Sequence, residues 1–251
     1  MKKKIWLCLS LVLCSVFWGC GSTKPEQETT EEKMADYVVG VTADNAPYYS
    51  CDDQGKPCGI YVELMEELAK QGDFAFRFLE TDVAAFKEDP CDVFLGTMEK
   101  ENGDMTGLVQ TAPFYQSKLC LVTRTADKMK KIKELRNTEV SAVAGGGEAS
   151  FAKYLAVKYE ADSLLFADEK TALDDCISGN AKAMVIDFNR YQKIAEENNR
   201  VTVLKTSGKY YNFHRFSSVL QTDFFTSLES EVEKLKEDGT LDRIFQNYGI
   251  N

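Results

Sequence analysis

Three places in the 251-residue chain combine residue types and spacings that could do chemistry. The first is Gly145-Gly146-Gly147, set between a β-rich run and a helical pattern. Bare backbone N–H groups at a helix start favour an anionic group. A tight strand-to-helix turn would use the same residues. The run is not a nucleotide phosphate loop, because the Lys-Ser/Thr pair is missing. The second is Asp187, which closes the apolar run AMVI. A carboxylate at a strand end can pair a cation or cap the helix that follows, and the two roles are compatible. The third is the pair Cys51 and Cys58, which flanks DDQGKP. That hairpin-like turn is a disulfide candidate in an oxidising exterior. His214 is the one histidine. Without a Ser or Cys partner in a recognisable motif, it reads as a surface or packing residue and not a catalytic one. No HExxH or histidine-rich cluster marks a metal site, and no cofactor is expected.

The start of the chain supplies an address. Lys2, Lys3 and Lys4 precede an apolar run from Ile5 to Trp18, which ends in Gly19-Cys20-Gly21-Ser22. A charged start, a short apolar stretch and a small residue before the cut describe a secretory signal, residues 1–19. Cys20 resembles the lipidated cysteine of a bacterial lipobox, although Phe17 and Trp18 are bulkier than its usual residues. Residues 20–35 are polar, charged and free of aromatics, and read as a flexible tether behind a lipid anchor. The folded part is therefore expected on the extracytoplasmic face of a cell membrane. The chain carries 40 acidic and 30 basic residues, a net charge of −10. Without the three lysines of residues 1–19, which hold no acid, that becomes −13. Such a balance argues against a nucleic-acid partner, since phosphate contacts need clustered Lys and Arg.

The remaining chain must position these groups on alternating strands and helices. Tyr37 to Thr42 is a short β-rich run. Tyr61, Leu64, Met65 and Leu68 recur at helical spacing, so residues 60–71 are an amphipathic helix. Strands over 74–79, 92–96 and 119–123 and a short helix over 83–88 continue the series. A second block repeats the pattern: strands over 140–144, 164–166, 183–186 and 201–204, with helices over 148–158, 168–178 and 188–197. A strand over 216–221 and two closing helices end the chain. This alternation predicts an α/β fold of two units, the second inserted into the first.

That organisation resembles the extracytoplasmic solute-binding proteins of ABC importers, of the small amino-acid-binding type. The carriers are APYY at 46–49, CGIYVELMEELAKQ at 58–71, CDVFLG at 91–96 and TAPFYQSKLCLVTR at 111–124. AMVID at 183–187 and the closing LKEDGTLDRIFQNYG complete the set, which spans roughly 36–250. The resemblance implies a two-lobed type II periplasmic-binding fold. Lobe 1 would be 36–122 plus 212–251, lobe 2 would be 123–211, and two crossing strands would serve as a hinge around a ligand cleft. It implies ligand contacts at Asn45, Tyr48, Thr97, Lys100, Gly146, Gly147 and Asp187. Asp187 stands where the family holds a ligand amine, and the glycine loop where it meets an anionic group. Three family anchors are replaced. Asn45 stands in place of an aromatic, and Leu79 in place of a second. Asp104 falls where a carboxylate-gripping Arg belongs, about nine residues ahead of Pro113, leaving only Lys100 as a nearby point charge.

The implied function is a membrane-anchored, monomeric protein that binds a small polar solute, an amino acid or related compound, and delivers it to an ABC permease. Two alternatives share the fold: an accessory protein of a quinoprotein-dehydrogenase type of redox system, or a dehydratase. No acid/base pair marks the second as an enzyme.

Overall fold

The structure, a computed structural model, describes residues 36–97, 107–197 and 199–250. The expected signal, Cys20 and the tether lie outside the described residues, as do Lys100 and Asp104. No helix among the described residues is long and apolar enough to cross a membrane.

The first half of the fold runs β1 (Asp36–Val41), a small ribbon of β2 (Ser50–Cys51) and β3 (Pro57–Cys58), α1 (Ile60–Gly72), β4 (Ala75–Glu80), α2 (Val83–Glu88) and β5 (Val93–Thr97). Next come β6 (Val109–Gln110) and the ten-residue β7 (Tyr115–Arg124). The second half holds β8 (Glu139–Val143), α3 (Gly147–Tyr159), β9 (Asp162–Phe166), α4 (Glu169–Ser178), β10 (Ala183–Asp187) and α5 (Phe188–Glu197). The chain returns along β11 (Val201–Ser218) and ends with α6 (Asp223–Glu237) and α7 (Thr240–Asn247).

One nine-stranded sheet joins both halves in the order β4-β1-β5-β11-β7-β10-β8-β9, with β6 paired to β11. β1, β4 and β5 are parallel, as are β8, β9 and β10. The two long antiparallel strands β7 and β11 lie between these sets. Helices cover both faces, so the parallel strands read as continuous apolar runs.

Each half buries its own apolar residues. Val39, Val41, Val93 and Leu95 pack with Leu64, Met65 and Leu68 of α1 and with Phe225, Leu228 and Ile244 of α6 and α7. In the second half the period of two along a strand sorts side chains between faces. Leu119 and Leu121 face Phe151, Ala152 and Leu155 of α3. Cys120 and Val122 face Ala172 and Cys176 of α4. Both buried thiols have their pKa pushed up, chiefly by desolvation, Cys176 to about 12.

Two strands expected over 201–204 and 216–221 fall on one strand, β11, which ends at Ser218, short of the expected 221. Its pairing with β7 shifts register between Val203 and Lys205 and again between Thr206 and Tyr211. The intervening polar residues hide a strand from any test of apolar periodicity. Long-range pairing with β7 and bulges that absorb extra residues extend it. For the same reason β7 starts at Tyr115, ahead of the expected 119.

The expected Cys51–Cys58 disulfide is not formed. The ribbon register sets Cys51 against Pro57 and Cys58 against Ser50, so the two thiols point to opposite faces. Cys58 Sγ lies 3.3 Å from Ser50 Oγ, while Cys51 Sγ lies 3.6 Å from Glu80 Oε1.

Candidate ligand-binding site

The chemistry collects where the carboxyl ends of β1, β8, β9 and β10 meet the middle of β7 and β11. In open α/β sheets that end is where loops and helix starts face a ligand.

The loop after β1 delivers Tyr48. Asn45 O accepts from the N–H groups of Tyr48 (2.8 Å) and Tyr49 (3.1 Å). The start of α1 docks on the same turn: the Tyr61 N–H donates to Tyr48 O at 2.8 Å. Gly59 permits this approach. Its φ is 119°, and a Cβ there would fall 2.5 Å from Tyr48 O.

β10 delivers Asp187, which is 1% exposed. Its Oδ1 accepts from the N–H groups of Asn189 (2.9 Å) and Arg190 (3.4 Å), the second and third of α5, so it is the N-cap of that helix. The same oxygen accepts from Tyr48 Oη at 3.1 Å. Oδ2 accepts from Asn212 Nδ2 at 3.2 Å and, in a short bond, from Ser117 Oγ. Burial still raises the Asp187 pKa against these hydrogen bonds, which lower it.

Behind Asp187 runs a directed chain. Ser117 gives its hydrogen to Asp187, so its Oγ accepts from His214 Nε2 at 2.9 Å. The other ring nitrogen, Nδ1, is then the acceptor for Tyr61 Oη at 2.7 Å. His214 is 1% exposed, and desolvation lowers its pKa to about 3, so the ring is neutral. Of the two expected places, surface or packing, it takes the second, and it also orients Ser117.

Arg190, on α5, reaches the loop after β1. Its guanidinium grips both carboxylate oxygens of Glu169, at the start of α4, in short bonds. It also donates to Asn45 Oδ1 in a short bond and to Asp44 O at 2.8 Å. Asn189 Nδ2 adds bonds to Tyr48 Oη (2.9 Å) and Tyr115 Oη (3.0 Å).

The glycine loop opens α3, with Gly146 at the N-cap position. Glu148, in the first turn, folds its carboxylate back over the loop. Its Oε2 lies 2.9 Å from where a Cβ on Gly146 would sit, and its own backbone N–H points to it. Oε1 accepts from Asn212 Nδ2 at 2.7 Å. The residue keeps some solvent access, but its carboxyl group is deep in the molecule. Desolvation, then the charge of Asp187, lifts its pKa to about 7.

Of the expected contact residues, Asn45, Tyr48, Gly146, Gly147 and Asp187 therefore belong to or adjoin one connected network. Thr97 ends β5 opposite His214 in register. Leu79 is 41% exposed on β4 and has no place in the network. Sequence reasoning missed Glu148, Glu169, Arg190, Ser117 and Asn212. A signal existed for three of them: Glu148, Glu169 and Arg190 each stand in the first turn of a helix that follows a strand, close behind the helix start where Gly146 and Asp187 sit in two of these helices.

The sequence pattern of the bacterial extracellular solute-binding proteins, family 3, matches residues 37–251. The chain belongs to this family. A probable histidine-binding protein of Campylobacter jejuni is 23% identical over 241 residues, covering 92% of this chain and 93% of that protein. A probable histidine-binding protein of Neisseria gonorrhoeae is 24% identical over 276 residues, covering 99% and 96%. Among solved structures, an ancestral arginine-binding protein bound to arginine superposes with a TM-score of 0.72 at 20% identity, covering 85% of this chain and 98% of that one. An ancestral amino-acid-binding protein, a precursor of cyclohexadienyl dehydratase, gives 0.71 at 21% identity, covering 85% and 95%. The shared fold is that of the type II periplasmic binding proteins, and the family is one of extracytoplasmic proteins.

Proposed function

We propose that this protein captures a small polar solute, an amino acid or related compound, and delivers it to an ABC importer. The family match over 37–251 carries this reading. The geometry supports it: strand ends from both halves of the sheet converge on a buried polar network, where binding, not turnover, is the natural task. Both ring nitrogens of His214 are engaged, by Tyr61 and Ser117.

In this reading residues 36–122 with 212–251 form one lobe and 123–211 the other, with Leu119 to Val122 of the crossing strand β7 packed into the core of the second. β7 and β11 are the crossing strands about which the lobes close. Tyr48 and Asn45 from the first lobe meet Asp187 and Arg190 from the second. Cys20 carries the lipid that holds the monomeric protein at the membrane.

A thermal-shift screen of amino acids, small peptides, polyamines and organic acids tests the capture. A bound solute raises the melting temperature by mass action. A solute that does so with micromolar affinity in calorimetry is the expected result; silence across all four classes refutes the reading. For the anchor, Cys20→Ser should release the protein from the membrane fraction.

A further inference from the structure

The glycine loop at the start of α3 is built to receive an anion, yet an anion of the chain already lies there. Glu148 returns its carboxylate to its own N–H and over Gly146. The favourable end of the helix dipole is thus engaged internally.

Asn212, 2% exposed, links that carboxylate to a second one. Its Nδ2 bonds Glu148 Oε1 at 2.7 Å and Asp187 Oδ2 at 3.2 Å. Both amide hydrogens are used, which orients the amide. Its Oδ1 is buried and accepts no hydrogen bond. A buried acceptor of this kind is costly unless a donor is supplied.

Two carboxylates therefore meet on one amide, and that amide's own oxygen is buried beside them without a donor. Among the described residues no Lys or Arg side chain bonds either carboxylate. Arg190, whose charge reaches both, has its fork on Glu169. The chemistry that completes such a site is a cation rich in N–H donors. A solute carboxylate entering the loop would meet Glu148 at close range, and like charges there oppose binding.

We propose that the Glu148–Asn212–Asp187 cluster selects a cationic solute that lacks an α-carboxylate, an amine or guanidine drawn by the charge of its two carboxylates. The proposal rests on the solute-capture reading and narrows its ligand class. The loop that would grip a carboxylate is converted by Glu148 into part of a cation site.

Calorimetry on the purified full-length chain in detergent tests it with matched pairs. Agmatine is set against arginine and histamine against histidine; each pair differs by the carboxylate alone. The expected result is that at least one amine binds about tenfold or more tighter than its amino acid, and that Glu148→Gln narrows that gap. An amino acid that binds as tightly as its amine, or tighter, overturns the inference while leaving solute capture in place. A gap that Glu148→Gln leaves unchanged overturns the role of Glu148. No binding by any of the four, with silence in the wider screen, overturns both readings. The wild-type ratio needs no variant, so the test stands even if the substitution impairs folding.

Discussion

Tyr48 and Asp187 lie 139 residues apart and share a 3.1 Å hydrogen bond between buried side chains. One follows β1 and the other ends β10, so this contact ties the two halves of the sheet together at their strand ends. Because Asp187 also caps α5, the bond couples the loop after β1 to the start of that helix. Tyr48→Phe keeps the ring and removes the donor. It should lower unfolding free energy by about 1 to 2 kcal/mol, the cost of one partner lost from a buried pair. Urea denaturation followed by far-UV circular dichroism measures this. A change within a few tenths of wild type would mean that the contact does not hold the halves together.

Arg190 should prove harder to replace. Its fork sits on Glu169 and its remaining donors on the loop at Asp44 and Asn45. Arg190→Ala leaves Glu169 with its counter-charge removed, and a loss of about 3 kcal/mol is expected. Arg190→Lys should recover little of it, since an ammonium cannot make the paired bonds of a guanidinium. Full recovery by Lys would show that charge alone matters there.

Glu148 should make stability depend on pH in a defined sense. Its folded pKa of about 7 lies above its ordinary 4.5. The folded state therefore holds the proton more tightly, and its advantage is lost as pH rises through that window. The groups around it are Asp187 and Glu169, which raise the value, and Asn212, which lowers it. Glu148→Gln cannot titrate. Relative to wild type it should gain about 2 to 3 kcal/mol between pH 4.5 and pH 7. Melting curves of both proteins across that range supply the difference; parallel curves would place Glu148 in a wetter setting.

His214 contributes with the opposite sign. Its folded pKa of about 3 lies below its ordinary 6.5. Stability is fully present above 6.5 and is lost as pH falls, because the unfolded chain takes the proton first. His214→Gln keeps a polar side chain and removes this limb. The variant should be less stable than wild type at neutral pH by about 2 kcal/mol, through the lost contacts to Tyr61 and Ser117. The deficit should shrink steadily as the solution is acidified.

The cysteines offer a check on the ribbon. Cys51 and Cys58 are exposed and free, whereas Cys120 and Cys176 are buried with raised pKa values. In the native protein a thiol reagent should label the first two quickly and the last two only on unfolding. Failure to label Cys51 and Cys58 without a reductant would mean that they are bridged in solution.

Much of the fold was legible because it is local. Apolar periodicity marks α1 through Tyr61, Leu64, Met65 and Leu68, and short β-rich runs mark β1, β5 and β10. Family-like segments in a set order named the architecture. Polar stretches were not legible: residues 205–215 lie in a strand only because β7 and β5 pair with them.

The sequence by itself determined the alternation of strands and helices, the acidic balance, the glycine loop and the carboxylate at the end of AMVI. It could assign Asp187 either to a cap or to a cation, because both readings need the same residue at the same place. Only the tertiary structure brought Asp187 within reach of Tyr48, Ser117 and Asn212, and set Glu148 over the loop that precedes it. The reason is physical. Burial and partner geometry decide what a carboxylate does, and its partners here lie on elements far apart in the chain.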